Sequence, residues 1–216
     1  MAVQCRTMSN PTATTYLLLD AARMQGAIHR ARELNPDHTC LYEGDSERFL
    51  VAVAPWLFSF DPTTPFGEWV VAEGAGRSWG VFLRCAADPV ALYKHLRKFL
   101  IVENEEGREM YFRYYDPRVL RAFLPTCGAE QLKAFFGPVD TFLGEDEQHL
   151  LVEFGIRNGG IVLNRTERTM TEFFAPEGEV VAPGPDGGAG GVLPVQGENA
   201  IVDGKKDPPK RWDFGF

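Results

Sequence analysis

The chain has 216 residues, 44% of them hydrophobic, enough for one ordinary domain with a buried core or one domain and a small lobe. A formal charge of −8 argues against non-specific binding to nucleic acid or to an anionic membrane, because both need a basic surface. Met1 to Pro11 lacks the apolar core of a signal peptide and no apolar run reaches bilayer length, so a cytoplasmic location is expected. Cys5, Cys40, Cys85 and Cys127 are too scattered for a disulfide framework or a zinc site, and Cys85 and Cys127 read as buried free thiols.

Thr15 to Ala22 reads as a strand, and Arg23 to Leu34 as a helix with Met24, Ala27, Ile28, Ala31 and Leu34 on one face. Leu50 to Ala54 and Trp56 to Phe60 read as two short buried strands split by Pro55. Beyond the turn cluster Asp61 to Pro65, a short helix is expected over Phe66 to Glu73. Trp79 to Ala86 is a mostly apolar strand, and Asp88-Pro89 then opens a capped helix reaching Leu100, with Leu92, Leu96 and Phe99 inward. Lys94, His95, Arg97 and Lys98 gather near its C-terminus, where the helix dipole favours positive charge.

The segment from Glu109 to Pro125 is the most specific in the chain. Met110, Phe112 and Tyr114 alternate with Tyr111, Arg113 and Tyr115, which predicts a strand entered from a turn at Asn104 to Gly107. Asp116 then caps a helix with Pro117 at its first position and Val119, Leu120, Phe123 and Leu124 as its apolar stripe. A further helix is expected over Gly128 to Phe136. Strands follow at Val139 to Leu143, Leu150 to Arg157 and Ile161 to Asn164, with Asn158-Gly159-Gly160 as a hairpin turn. From about Ala175 the composition turns to Gly and Pro, which predicts a disordered tail.

These elements make a mixed α+β class, with a mixed sheet flanked by helices. Strands at Thr15, Trp79 and Glu109 are expected to share one sheet under the helices at Arg23 and Asp88. The expected divisions are a flexible N-terminus (1–14), an α/β domain (15–138), a small strand-rich extension or second lobe (139–174) and the tail (175–216).

A search for chemistry finds no active site, and no cofactor or metal is expected. Gly184 to Gly191 has glycines but no preceding strand or P-loop Lys. His29, His38, His95 and His149 share no metal-ligand spacing. Glu145-Asp146-Glu147 beside His149 has the ligand types for a divalent cation or acid-base work, yet reads better as a solvated acidic turn. Arg113, Tyr115 and Arg118 at the strand-to-helix corner have the groups to grip a carboxylate or phosphate and are candidate partner-binding residues. Alternatively Arg113 pairs with Asp116 or Glu109 and holds the corner in shape. At the chain's end, Trp212, Phe214 and Phe216 are candidate anchors for a partner's groove.

Arg113-Tyr-Tyr-Asp-Pro-Arg-Val-Leu120, with Tyr16-Leu-Leu-Leu-Asp-Ala-Ala-Arg23 and Gly80-Val-Phe-Leu-Arg-Cys85 before it in the same order, resembles the effector chaperone or adaptor family of bacterial type VI secretion, the domain-of-unknown-function 4123 family. The resemblance spans Thr15 to Pro138 and rests mostly on the Arg113 to Leu120 block. It implies a non-enzymatic protein whose partners are a cognate secreted effector and the spike protein of the apparatus. Two other functions stay open on the residues alone. One is an immunity-type inhibitor using its acidic charge against a basic toxin cleft, and the other a small metal-dependent hydrolase or nuclease built on Glu145 to His149.

Overall fold

The structure is a computed structural model that describes residues 13–44, 50–103 and 107–175. A seven-stranded sheet runs through it in the order β2 (His38–Cys40), β3 (Pro55–Ser59), β1 (Thr14–Asp20), β4 (Gly80–Cys85), β7 (Val139–Glu145), β8 (Leu150–Arg157) and β9 (Gly160–Thr169). The α+β class is the expected one. Every pairing in the sheet is antiparallel, where a mixed sheet was expected.

Alternation along the central strands sends side chains to two cores. Leu18, Leu83, Phe142 and Phe154 face one side, under α3 (Pro89–Arg97), α4 (Pro117–Phe123) and α5 (Ala129–Phe136). Leu17, Leu19, Phe82 and Leu143 face the other, under α1 (Ile28–Leu34), α2 (Pro65–Gly74) and α6 (Met170–Phe173). The central strands are therefore covered on both faces, which explains the near-continuous apolar run at Leu17 to Leu19. Residues 139–169, expected as an extension or second lobe, are three strands of this one sheet.

Several boundaries differ from expectation for local reasons. The helix expected from Arg23 begins at Ile28, because Gln25 (φ 49°) and Gly26 (φ 91°) take left-handed backbone after a 3-10 turn at Ala21–Arg23. Leu50 to Ala54 forms no strand, and the strand that does form starts at Pro55 itself. Pro125 lies inside a 3-10 turn, Leu124–Thr126, that continues α4. The Asn158-Gly159 turn is as expected: both residues have positive φ, 53° and 76°, and Arg157 pairs with Gly160 across a two-residue hairpin.

The largest correction falls on the aromatic segment. β6 covers only Glu109–Tyr111 and pairs with β5 (Ile101–Glu103) in a separate two-stranded sheet, so it does not join the strands at Thr15 and Trp79. One further bond, from Phe112 N–H to the Leu100 carbonyl at 2.9 Å, carries the pairing on before the chain winds into a turn closed by Asp116 N–H on the Arg113 carbonyl. Tyr114 and Tyr115 are both buried, on successive positions, which no flat strand with one greasy face allows.

Candidate functional site

The corner between β6 and α4 is built on two buried carboxylates. Asp20, at the end of β1, is fully buried, with one oxygen accepting from Ala22 N–H at 3.2 Å and the other from Arg113. Burial pushes the Asp20 carboxyl above its ordinary range, with Arg113 acting in the opposite sense. Asp116 is 2% exposed and caps α4 as expected, accepting from Arg118 N–H at 3.0 Å. The Arg118 side chain also grips it, with Nε at 3.0 Å and Nη2 at 2.6 Å, while Arg23 approaches at 3.8 Å. Burial alone raises the Asp116 pKa, but Arg118, the helix N–H and Arg23 together hold it below the usual carboxylate range.

The sequence-named residues therefore divide. Arg113 does hold the corner, but its partner is Asp20, 93 residues away, rather than Asp116 or Glu109. Its side chain is 43% exposed and that of Arg118 is 58% exposed, so both guanidiniums face solvent while their carboxylates lie behind them. Tyr115 is buried, its phenol bonded to Tyr42, and burial followed by that bond raises its pKa well above the usual phenol range. It positions the corner and offers no ring to a partner. Tyr114, which sequence reasoning left out of the site, donates its hydroxyl to the Leu96 carbonyl of α3 at 2.7 Å. Trp212, Phe214 and Phe216, with Gly184 to Gly191, lie outside the described residues.

Beside the corner stands an apolar surface. Ile101, Met110 and Tyr111 of the β5–β6 hairpin are 48%, 50% and 60% exposed. The hairpin overhangs a groove of about 460 Å³ whose walls include Leu41, Tyr42, Arg97 and Tyr111. Tyr42 joins the two parts, packing on Tyr111 at 5.8 Å between ring centres and bonding to Tyr115. Arg97 lies in the last turn of α3 as expected, and it also donates to the Leu41 carbonyl at 3.0 Å and pairs with Glu43, holding the groove wall. His95 likewise meets the Phe135 carbonyl at 2.8 Å, and burial lowers its pKa.

The acidic turn is solvated only at its tip, where Glu147, Gln148 and His149 are exposed. Glu145 and Asp146 are 2% and 8% exposed. Glu145 accepts from Gly76 N–H at 2.6 Å and Ser78 N–H at 2.8 Å, stitching the α2–β4 loop to β7. Asp146 accepts from Gln148 and Leu150 N–H and pairs with Arg165, and Glu147 pairs with Arg121. Each carboxylate is thus engaged by the protein itself. Cys40 and Cys85 are buried and Cys127 is half-buried, its thiol pushed up to about 11 by burial.

Residues 15–134 match a family model described as "Domain of unknown function (DUF4123)". The chain belongs to that family. The match runs from β1 into α5 and includes all five charged residues of the corner, Asp20, Arg23, Arg113, Asp116 and Arg118. No curated protein and no solved structure matches the chain. Among the described residues no helix is long and apolar enough to cross a membrane.

Proposed function

We propose that this DUF4123 chain is a non-enzymatic adaptor of the bacterial cytoplasm that binds a cognate type VI secretion effector and helps load it on the spike protein. The observation that carries this reading is the juxtaposition at the corner: solvent-facing Arg113 and Arg118, backed by buried carboxylates, next to the exposed Ile101, Met110 and Tyr111. Pre-set guanidiniums beside aromatic and sulfur-bearing side chains are the composition of an interface centre, and the buried acids fix their positions before a partner arrives. Arg113, Arg118 and Tyr111 are the contact residues; Tyr115, Tyr42 and Asp20 support them from behind.

The test is co-expression with the proteins encoded beside the gene, capture of the tagged chain, and mass and stoichiometry of what stays bound. A toxin-like effector, alone or with a spike protein, is expected. Met110→Asp and Tyr111→Ala, at exposed positions, should each weaken capture by about tenfold without moving Tm. Arg118→Gln, which removes the charge but keeps a donor toward Asp116, should weaken it less. A chain that stays alone with every co-expressed neighbour and with the spike C-terminus would sink the proposal.

A further inference from the structure

The far end of the sheet carries a second surface. β9 is the last strand in the order, and among the described residues no strand pairs with its outer edge. An open edge presents a row of N–H and C=O groups to any extended chain, and proteins usually blunt it with bulges, charges or proline. β9 is blunted along one half only. Between Arg165 and Thr169 three residues stand opposite Leu151, the register slips, and Glu167 takes φ 55°, so the ladder is broken there. From Gly160 to Arg165 each residue pairs one-to-one with Arg157 back to Val152.

That regular half lacks proline and acidic residues, and it shows apolar side chains on both faces. Val162 and Leu163, 42% and 40% exposed, point to opposite sides of the sheet, with Ile156 at 38% beside them. The charges beside its ends are basic in a chain of net charge −8: Arg165 at one end and, across the turn from Gly160 at the other, Arg157 of β8. Arg165 is matched by Asp146, whereas the exposed Arg157 makes no ion pair among the described residues. On the bulged half, Glu167 is followed in the chain by Arg168, so that half carries no net acidic charge.

We propose that the edge from Gly160 to Arg165 is a strand-addition site for an extended, apolar segment of a protein partner with an acidic residue at the end that meets Arg157. Main-chain pairing supplies the affinity, Val162 and Leu163 select apolar residues at two adjacent positions of the added strand, one on each face, and the bulge limits the paired length. Six strand spacings of about 4.8 Å put this edge roughly 29 Å from the β2 edge. The groove walled by Leu41 and Tyr42, which follow β2 directly, lies toward that opposite edge. One rigid sheet thus holds a docking surface toward each end, the arrangement a loader of two partners requires; this last step rests on the adaptor reading, the edge itself does not.

The probe is the synthetic peptide Asp-Thr-Val-Val-Thr-Glu, with a control carrying Pro at the second Val, each titrated to millimolar concentration into the full chain. Amide hydrogen exchange over 160–165 should slow by about fivefold with the first peptide and not with the control. Val162→Asp should abolish the slowing; Arg157→Glu, an exposed side chain at the last position of β8, should weaken it while leaving the main-chain ladder in place. No slowing at the edge would overturn the proposal. Slowing without peptide that grows with protein concentration, together with a dimer in sedimentation, would assign the edge to a second copy and overturn it as well. Capture of an effector with the edge unresponsive to peptide would reject this site and leave the adaptor reading standing, and peptide protection without effector capture would do the reverse.

Discussion

Asp20 and Asp116 belong to one cluster with Arg23, Arg113 and Arg118, yet their carboxyl groups are displaced in opposite directions from the ordinary 3.8. Asp20 is raised, so its contribution to stability is fully present below 3.8 and is lost as pH rises through its elevated value. Asp116 is lowered, so its contribution is present above 3.8 and is lost as pH falls through its depressed value. Two amide variants separate them. Relative to wild type, Asp116→Asn should become progressively less stable as pH is raised from about 3 to about 7, while Asp20→Asn should become progressively more stable over the same range. Asn is itself a good cap, so the first change tests the charge and not the cap. Urea midpoints across this range decide the matter, and parallel slopes for the two variants would refute the assignment. The physical point is the partner: Asp116 accepts three bonds from Arg118, two of them through the guanidinium, whereas Asp20 meets Arg113 through one nitrogen while fully buried.

At the scale of elements, the loop between α2 and β4 is held by two side chains, Arg23 donating to the Arg77 and Ser78 carbonyls and Glu145 accepting from its N–H groups. Gly76 (φ 75°) and Ser78 (φ 49°) turn their N–H groups to the Glu145 carboxylate of β7. Glu145→Gln replaces one acceptor oxygen by a donor facing a donor and should cost about 2 kcal/mol in urea unfolding. Glu147→Gln removes only a surface pair with Arg121 and should leave the midpoint unchanged within error. Equal losses would mean that the two carboxylates share a role. This contrast also shows what the sequence made legible. Elements with chemical punctuation were readable: Asp88-Pro89 and Asp116-Pro117 start helices, and Asn158-Gly159 makes its hairpin. Arg113 and Arg118 were readable as a pair because Asp116-Pro117 places both at one corner. Their supports were not. Asp20, Tyr42 and Arg23 come from segments far off in the chain, and no local pattern ties Arg113 to a residue 93 positions earlier. The same blindness made Glu145 and Asp146 look solvated, because composition alone cannot place a carboxylate opposite two backbone donors. The strand expected to run on to Tyr115 stops at Tyr111 because burying both Tyr114 and Tyr115, and reaching Asp20 with Arg113, outweighs a two-residue alternation that only two short strands sustain.

At the scale of the whole molecule, the family match and the folding unit do not coincide. The match ends at 134, just short of the end of α5, but β4 in the middle of the sheet takes its second neighbour from β7. Phe142 of β7 packs on Phe135 and Phe136 of α5 at 5.5 and 5.2 Å between ring centres, and Phe154 of β8 is buried in the same core. On the other face, Leu143 and Met170 complete the core over Phe82. A fragment covering 13–138 would keep every residue of the corner yet leave an edge of β4 unpaired and both cores uncovered on one side. Exposed apolar area of that extent, with the conformational entropy of ordering unchanged per residue, removes the margin on which a domain of this size stands. The fragment should therefore show no cooperative urea transition and no near-ultraviolet circular dichroism from its packed aromatics, while the full chain shows both. A fragment that unfolds cooperatively with a native aromatic signal would mean that the matched region folds alone, and β7, β8 and β9 would then be an appended layer rather than half of the scaffold that fixes the corner in place.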